Sequence, residues 1–199
     1  MHHISSLILQ YNNFKQMLNR LFALNLLFLF SPIFLIVALV VLFDDGLPIF
    51  FKQRRVGINY TFFNIYKFRS MKKNTPNVAT HLLDNPEQYL LKIGMFIRKT
   101  SLDELPNLIN IIKGEMVFVG PRPALYNQDD LMQLRGATGV DKLKPGITGW
   151  AQINGRDDIS IEKKVQLEHE YLQKKSFLFD IEILIITLTN VLMSKGVSH

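Results

Sequence analysis

The chain has no cysteine in its 199 residues, which excludes disulfides and thiolate metal sites and agrees with a reducing compartment. Histidine is scarce, and the five present (His2, His3, His81, His169 and His199) show no metal-ligand spacing. Two common phosphate-binding glycine patterns, G-x-x-x-x-G-K-[ST] and G-x-G-x-x-G, are both missing. There is no internal repeat or low-complexity tract, and the length suits one domain with a real core. Acidic residues are absent from the first 43 positions, where Lys15 and Arg20 are the only cations. The formal net charge of +6 suits anionic headgroups and anionic small substrates. Nucleic acid is excluded as the expected partner, because no aromatic-basic stacking motif or zinc-finger spacing occurs.

The chain does hold one long hydrophobic run. Leu21 to Phe43 is 23 residues without a charge, long enough as a helix (about 34 Å) to match a ~30 Å hydrocarbon core. It is too long for a signal-peptide core, and Asp44-Asp45 stands where a cleavage site would need small residues. Ser31-Pro32 lies near its centre. Pro32 cannot donate to the Phe28 carbonyl, so a kink is expected there, with the Ser31 hydroxyl reaching that carbonyl instead. Cations flank both ends, Lys15 and Arg20 before and Lys52, Arg54 and Arg55 after, so no orientation across the bilayer is favoured. The expectation is an N-terminal re-entrant membrane anchor over residues 1–43, kinked at Ser31-Pro32, with a membrane-apposed catalytic domain over 44–199.

Two adjacent carboxylates, Asp103-Glu104, stand out in the later part of the chain, with Arg98 and Lys99 just upstream. At a helix start beside cations, such a pair suits chemistry on phosphate: one carboxylate attacks and the other moves a proton. The same stretch, Ser101-Leu102-Asp103-Glu104, also fits the S/T-x-x-E capping box, in which Glu104 only satisfies backbone donors. Pro106 argues for a helix starting at or just after Asp103, since proline is tolerated only near the first turn. Asp103 would then sit at the positive helix end with its charged form favoured.

The remaining signals are coarser. Residues 48–53 and 61–66 read as short strands around a turn at 54–60, followed by Lys67-Phe68-Arg69, whose cations suit either a solvated face or a phosphate. Residues 87–97 have helical character, 105–113 form a helix ended by Gly114, and 116–119 form a strand. Prolines on both sides of Arg122 restrict its backbone, which suits bidentate phosphate binding as well as a plain rigid turn. Lys144 to Arg156 is a Gly-rich loop carrying Trp150, Gln152 and Arg156, able to hold a sugar nucleotide. Residues 161–175 form an amphipathic helix, and 180–193 a helix too short to span that packs in the core or lies in the interface. The fold class expected is α+β, helix-rich with a few short β-strands, in a monotopic membrane protein with interfacial amphipathic helices.

Taken in order, Ser31-Pro32, Lys67-Phe68-Arg69, Arg98 with Ser101 to Pro106, Gly120 to Pro123 and Lys144 to Arg156 resemble the bacterial sugar transferase family, in particular its small monotopic phosphoglycosyl transferases. The resemblance runs from about residue 14 to 197. It implies transfer of a sugar 1-phosphate from a UDP-sugar to undecaprenyl phosphate, with release of UMP and a requirement for Mg²⁺, at the cytoplasmic face of the bacterial inner membrane. By the same resemblance Asp103 is the nucleophile and a metal ligand, Glu104 assists proton removal, and Arg98 holds the lipid phosphate. Arg122, Lys67, Arg69, Gln152 and Arg156 then serve the nucleotide-sugar. The choice of UDP-sugar and a homodimer stay open. A glycosyl transferase releasing UDP and a non-catalytic membrane scaffold are the alternatives.

Overall fold

In the computed structural model, which describes residues 2–76, 85–155 and 159–193, the chain opens with helices α1 (His2–Leu29) and α2 (Ser31–Asp45), bent by 64° across Phe30. The bend falls where Pro32 withholds an N–H. Ser31 Oγ donates to the Phe28 carbonyl at 2.7 Å, and Pro32 settles in the first turn of α2, where no N–H is needed. Among the described residues no single helix is long and apolar enough to cross a membrane; by length and composition the bent pair together is.

Both ends of this pair are fastened to one body. Near the start, Lys15 pairs with Asp180 at 2.5 Å, Asn19 Oδ1 accepts from Phe118 N at 3.2 Å, and Arg20 donates to Lys113 O at 3.4 Å. At the finish, Asp45 pairs with Arg69 at 3.0 Å and Asp44 accepts from Lys92 N at 2.7 Å. A helix pair that leaves and returns to the same body has the geometry a re-entrant element requires. Its outer residues are bare: Phe28 is 85% and Phe43 83% exposed.

Strands β1 (Phe50–Val56) and β2 (Phe62–Phe68) form an antiparallel hairpin with Phe50 opposite Phe68 and Val56 opposite Phe62. Both differ from the expected 48–53 and 61–66, because β1 runs on through Arg54 and Arg55 into the expected turn. Arg54 stacks on the Phe62 ring at 4.0 Å, and Arg55 pairs with Leu125 on a later strand, so tertiary pairing extends it. The turn shrinks to Gly57 and a 3₁₀ turn at Ile58–Tyr60, with Asn59 left-handed at φ 50°. The period of two along β2 divides the core. Phe63 and Ile65 join Ala23 of α1 with Leu108, Ile111 and Met116, while Phe68 turns to the other side, onto Val37 and Val41 of α2.

Residues 87–97 do not form one helix. A 3₁₀ turn at Pro86–Tyr89 precedes α3 (Gly94–Lys99), because Lys72 N bonds Tyr89 O at 2.7 Å and Leu91 N bonds Ser70 O at 3.0 Å, drawing the backbone away from helical partners. Helix α4 (Asn107–Lys113) ends at Gly114, whose φ of 82° closes the last turn. Strand β3 (Val117–Val119) pairs in parallel with β5 (Gly146–Thr148), so the segment 144–156 is not simply a loop. A β-carbon on Gly120 or Gly146 would collide with the other segment's backbone, which fixes glycine at both places. Between these strands, β4 (Ala124–Leu125) completes a β2-β1-β4 sheet and α5 (Asp129–Thr138) follows.

The chain closes with α6 (Trp150–Ile153), α7 (Ile161–Lys174) and α8 (Phe177–Leu192). Ser160 Oγ caps α7 by accepting from Lys163 N at 3.3 Å. Helix α8 starts before the expected residue 180 because Ser176 Oγ accepts from Phe179 N at 3.2 Å. Ile183 is fully buried, while Phe177, Leu178, Ile185 and Leu188 stay exposed on the opposite side. The whole is a helix-rich α+β fold with short strands, as the sequence led one to expect.

Candidate active site

The two adjacent carboxylates occupy a 3₁₀ turn at Leu102–Glu104, not the first turn of an α-helix. Ser101 is left-handed at φ 56° and makes no side-chain cap, so the capping box does not form. Pro106 stands at the cap position of α4 and Asn107 opens it. Asp103 is therefore four residues upstream of that helix, and the expected positive helix end does not serve it.

What serves it is a ring of side chains. Strand β2 delivers Lys67, α3 delivers Arg98, and the Pro121-Arg122-Pro123 turn after β3 delivers Arg122. Lys67 Nζ pairs with Glu104 Oε1 at 2.6 Å, and the same oxygen lies 3.6 Å from the Arg122 guanidinium. Glu104 thus joins two cations. Asp103 is 9% exposed. Burial pushes its carboxyl up from 3.8 to about 6, opposed chiefly by Lys67; Glu104 adds to the rise, while Arg98 and Arg122 reduce it. This corrects the expectation that the charged form is favoured there. At neutral pH the carboxylate still outnumbers the acid by about ten to one.

The Arg122 turn is gripped from two sides. Arg135 donates to the Arg122 carbonyl at 2.9 Å and is held by Glu168 through two bonds of 2.8 and 2.5 Å, both residues buried. Arg55 donates to the neighbouring Pro123 carbonyl at 3.0 Å. The partly open cleft beside the turn has a polar wall of Arg55, Lys67, Glu104, Asn107 and Arg122. Ile65, Met116 and Ile147 form its apolar wall.

Not every expected residue arrives. Asp103, Glu104, Arg98, Arg122 and Lys67 converge. Arg69 does not: it is 6% exposed, pairs with Asp45 and donates to the Asp45 and Gly46 carbonyls at 3.1 and 2.5 Å. Strand β2 ends at Phe68, so alternation no longer carries Arg69 beside Lys67, and the carbonyl end of α2 attracts its charge. Gln152 lies on α6 beside Gly149, apart from the residues lining the cleft. Arg156 lies outside the described residues. Arg55 and Asn107 were missed. Asn107 had a signal, its place one helical turn after Asp103; Arg55 had none once residues 54–60 were read as a turn.

Among the described residues, no group of three or more His, Cys, Asp or Glu forms a ready-made metal cage. Mg²⁺ does not need one, since it is commonly held by one or two carboxylates and substrate phosphates. A buried carboxyl whose pKa is raised by desolvation fits that role, because a dication would stabilise the charged form that burial disfavours.

The model of the family described as bacterial sugar transferase matches residues 10–194. The chain is 44% identical over 186 residues to the uncharacterized sugar transferase EpsL of Bacillus subtilis, covering 92% of this chain and 91% of the relative. It is 37% identical to the exopolysaccharide production protein ExoY of Rhizobium meliloti, across 85% of this chain and 81% of that one. The UDP-glucose:undecaprenyl-phosphate glucose-1-phosphate transferase of Escherichia coli is 38% identical across 86% of this chain, which spans only 38% of that longer protein.

Proposed function

This chain belongs to the bacterial sugar transferase family, and from that premise we propose that it moves a sugar 1-phosphate from a UDP-sugar to undecaprenyl phosphate and releases UMP. The observation that carries the reading is the buried Asp103 carboxylate beside Glu104, itself paired with Lys67 and Arg122. Carboxylate chemistry on a dianionic diphosphate needs cations at the point of attack, and three face Asp103.

In the first half, an Asp103 oxygen bonds to the sugar-bearing phosphorus and the phosphorus–oxygen bond to UMP breaks, with UMP keeping the electron pair. Lys67 and Arg122 bind the diphosphate oxygens as they shift from Glu104 to the substrate. Arg98 receives the headgroup of undecaprenyl phosphate. In the second half, an oxygen of that headgroup attacks the same phosphorus, Glu104 accepts its proton, and the Asp103 carboxylate leaves. Asp103, with the donor's diphosphate oxygens, would hold Mg²⁺, which when bound neutralises charge on the departing UMP. The aspartyl phospho-sugar makes the kinetics ping-pong.

The bent pair α1–α2, with its bare outer residues and both ends returned to one body, supports insertion from the cytoplasmic face of the inner membrane without crossing it. A polyprenyl headgroup at the interface then meets a soluble donor at the cleft. The test is the nucleotide released when detergent-solubilised protein turns over UDP-sugar with undecaprenyl phosphate. UMP, together with a phospho-sugar mass on the Asp103 peptide when the lipid is omitted, is expected. UDP release would mean plain glycosyl transfer, and no release from any UDP-sugar would leave a scaffold.

A further inference from the structure

Asn107 opens α4, one helical turn after Asp103, and lines the cleft with Lys67, Glu104 and Arg122. It is 1% exposed, and its Oδ1 has no hydrogen-bond partner among the described residues. A buried acceptor without a partner in the protein weakens a fold unless something else meets it, and native proteins keep few of them. Its neighbours on the same helix, Leu108 and Ile111, fill the core with hydrocarbon. The residue that bears the orphan oxygen is part of the cleft lining.

Its chemistry narrows what it meets. An amide oxygen only accepts, so it repels phosphate oxygens, which the neighbouring Lys67 and Arg122 suit far better. It needs an O–H or N–H. On a UDP-sugar whose sugar-bearing phosphorus stands at Asp103, the nearest such groups are those of the sugar ring. The uracil N–H lies at the far end of the diphosphate and ribose. Resting on the function proposed above, we infer that Asn107 Oδ1 accepts a hydrogen bond from a ring substituent of the donor sugar and so selects which sugar is transferred.

The test uses the full chain in detergent with undecaprenyl phosphate, and UMP release as readout. UDP-glucose, UDP-galactose and UDP-N-acetylglucosamine are compared, each with its singly deoxygenated analogues, for wild type, Asn107→Leu and Asn107→Gln. With the preferred donor, Asn107→Leu is expected to lose about tenfold to a hundredfold in kcat/KM. With the one analogue lacking the recognised group, it should match wild type. Asn107→Leu should also keep or exceed the wild-type melting temperature without substrate, since it removes an unsatisfied polar atom. An equal loss for every donor and analogue overturns the inference, because the amide would then serve the uridine or diphosphate common to all. A fall in unliganded melting temperature overturns it too, by giving the amide a structural task. If wild type releases UMP from no UDP-sugar, these three and a wider panel included, the proposed function fails, and this inference with it.

Discussion

Replacing Asp103 by asparagine should make the protein more stable while abolishing its chemistry, and the gain should depend on pH. The carboxyl rises from 3.8 to about 6, mainly through burial. A rise of roughly two units corresponds to about 3 kcal/mol of differential stability. The sign follows from which state holds the proton. Below pH 3.8 the group is protonated in both folded and unfolded chains, and it costs nothing. Between 3.8 and about 6 the unfolded chain ionises first, so stability falls as pH rises; above about 6 the full cost persists. Asparagine cannot ionise and escapes it. For a chain of this size the relief amounts to a melting-temperature increase of roughly 6–12 °C at pH 8. Thermal unfolding of both proteins in one detergent, from pH 3.5 to pH 8, measures it. The difference should be near zero at the acid end and grow through pH 4–6. A constant difference across that range, or a less stable Asp103→Asn at pH 8, would refute the claim that a desolvated carboxylate is stored at the reaction centre.

Formation of the phospho-sugar on wild-type protein should fall about tenfold between pH 7 and pH 5, because the ionised fraction of a group titrating near 6 falls by that factor. In Lys67→Met the same fall should begin at higher pH, as Lys67 is the main charge opposing the rise; an unmoved acid limb in quenched-flow labelling would contradict this. Glu168→Gln leaves Arg135 buried without its counter-charge, so a loss of about 3–5 kcal/mol is expected in denaturant unfolding. Tags placed at residue 1 and after residue 199 should both be reached by cytoplasmic and not by periplasmic reagents in intact cells. Labelling of the first tag from the periplasm alone would replace the re-entrant pair by a span.

Local signals carried a good part of this molecule. Pro32 with Ser31 marked the bend, Gly114 the end of α4, and the Asp103-Glu104 pair the turn on which the cations converge, because each depends on its own backbone or immediate neighbours. What escaped depends on residues far away. The three-residue strand β5 exists only through its pairing with β3, so 144–156 read as a glycine-rich loop. Arg69 reads like Lys67 in sequence, and only the arrival of the α2 terminus draws it elsewhere. The protonation of Asp103 is set by burial, which no motif encodes: the pair was legible, its electrostatics were not.

Strand β2 carries Lys67 to the cleft, and one residue past its end Arg69 clasps the last carbonyls of α2. Two positions of chain therefore separate the grip on the hydrophobic arm from the ammonium that faces Asp103. Any displacement of the α2 end would therefore reach Lys67 through two residues of backbone, with no loop between them.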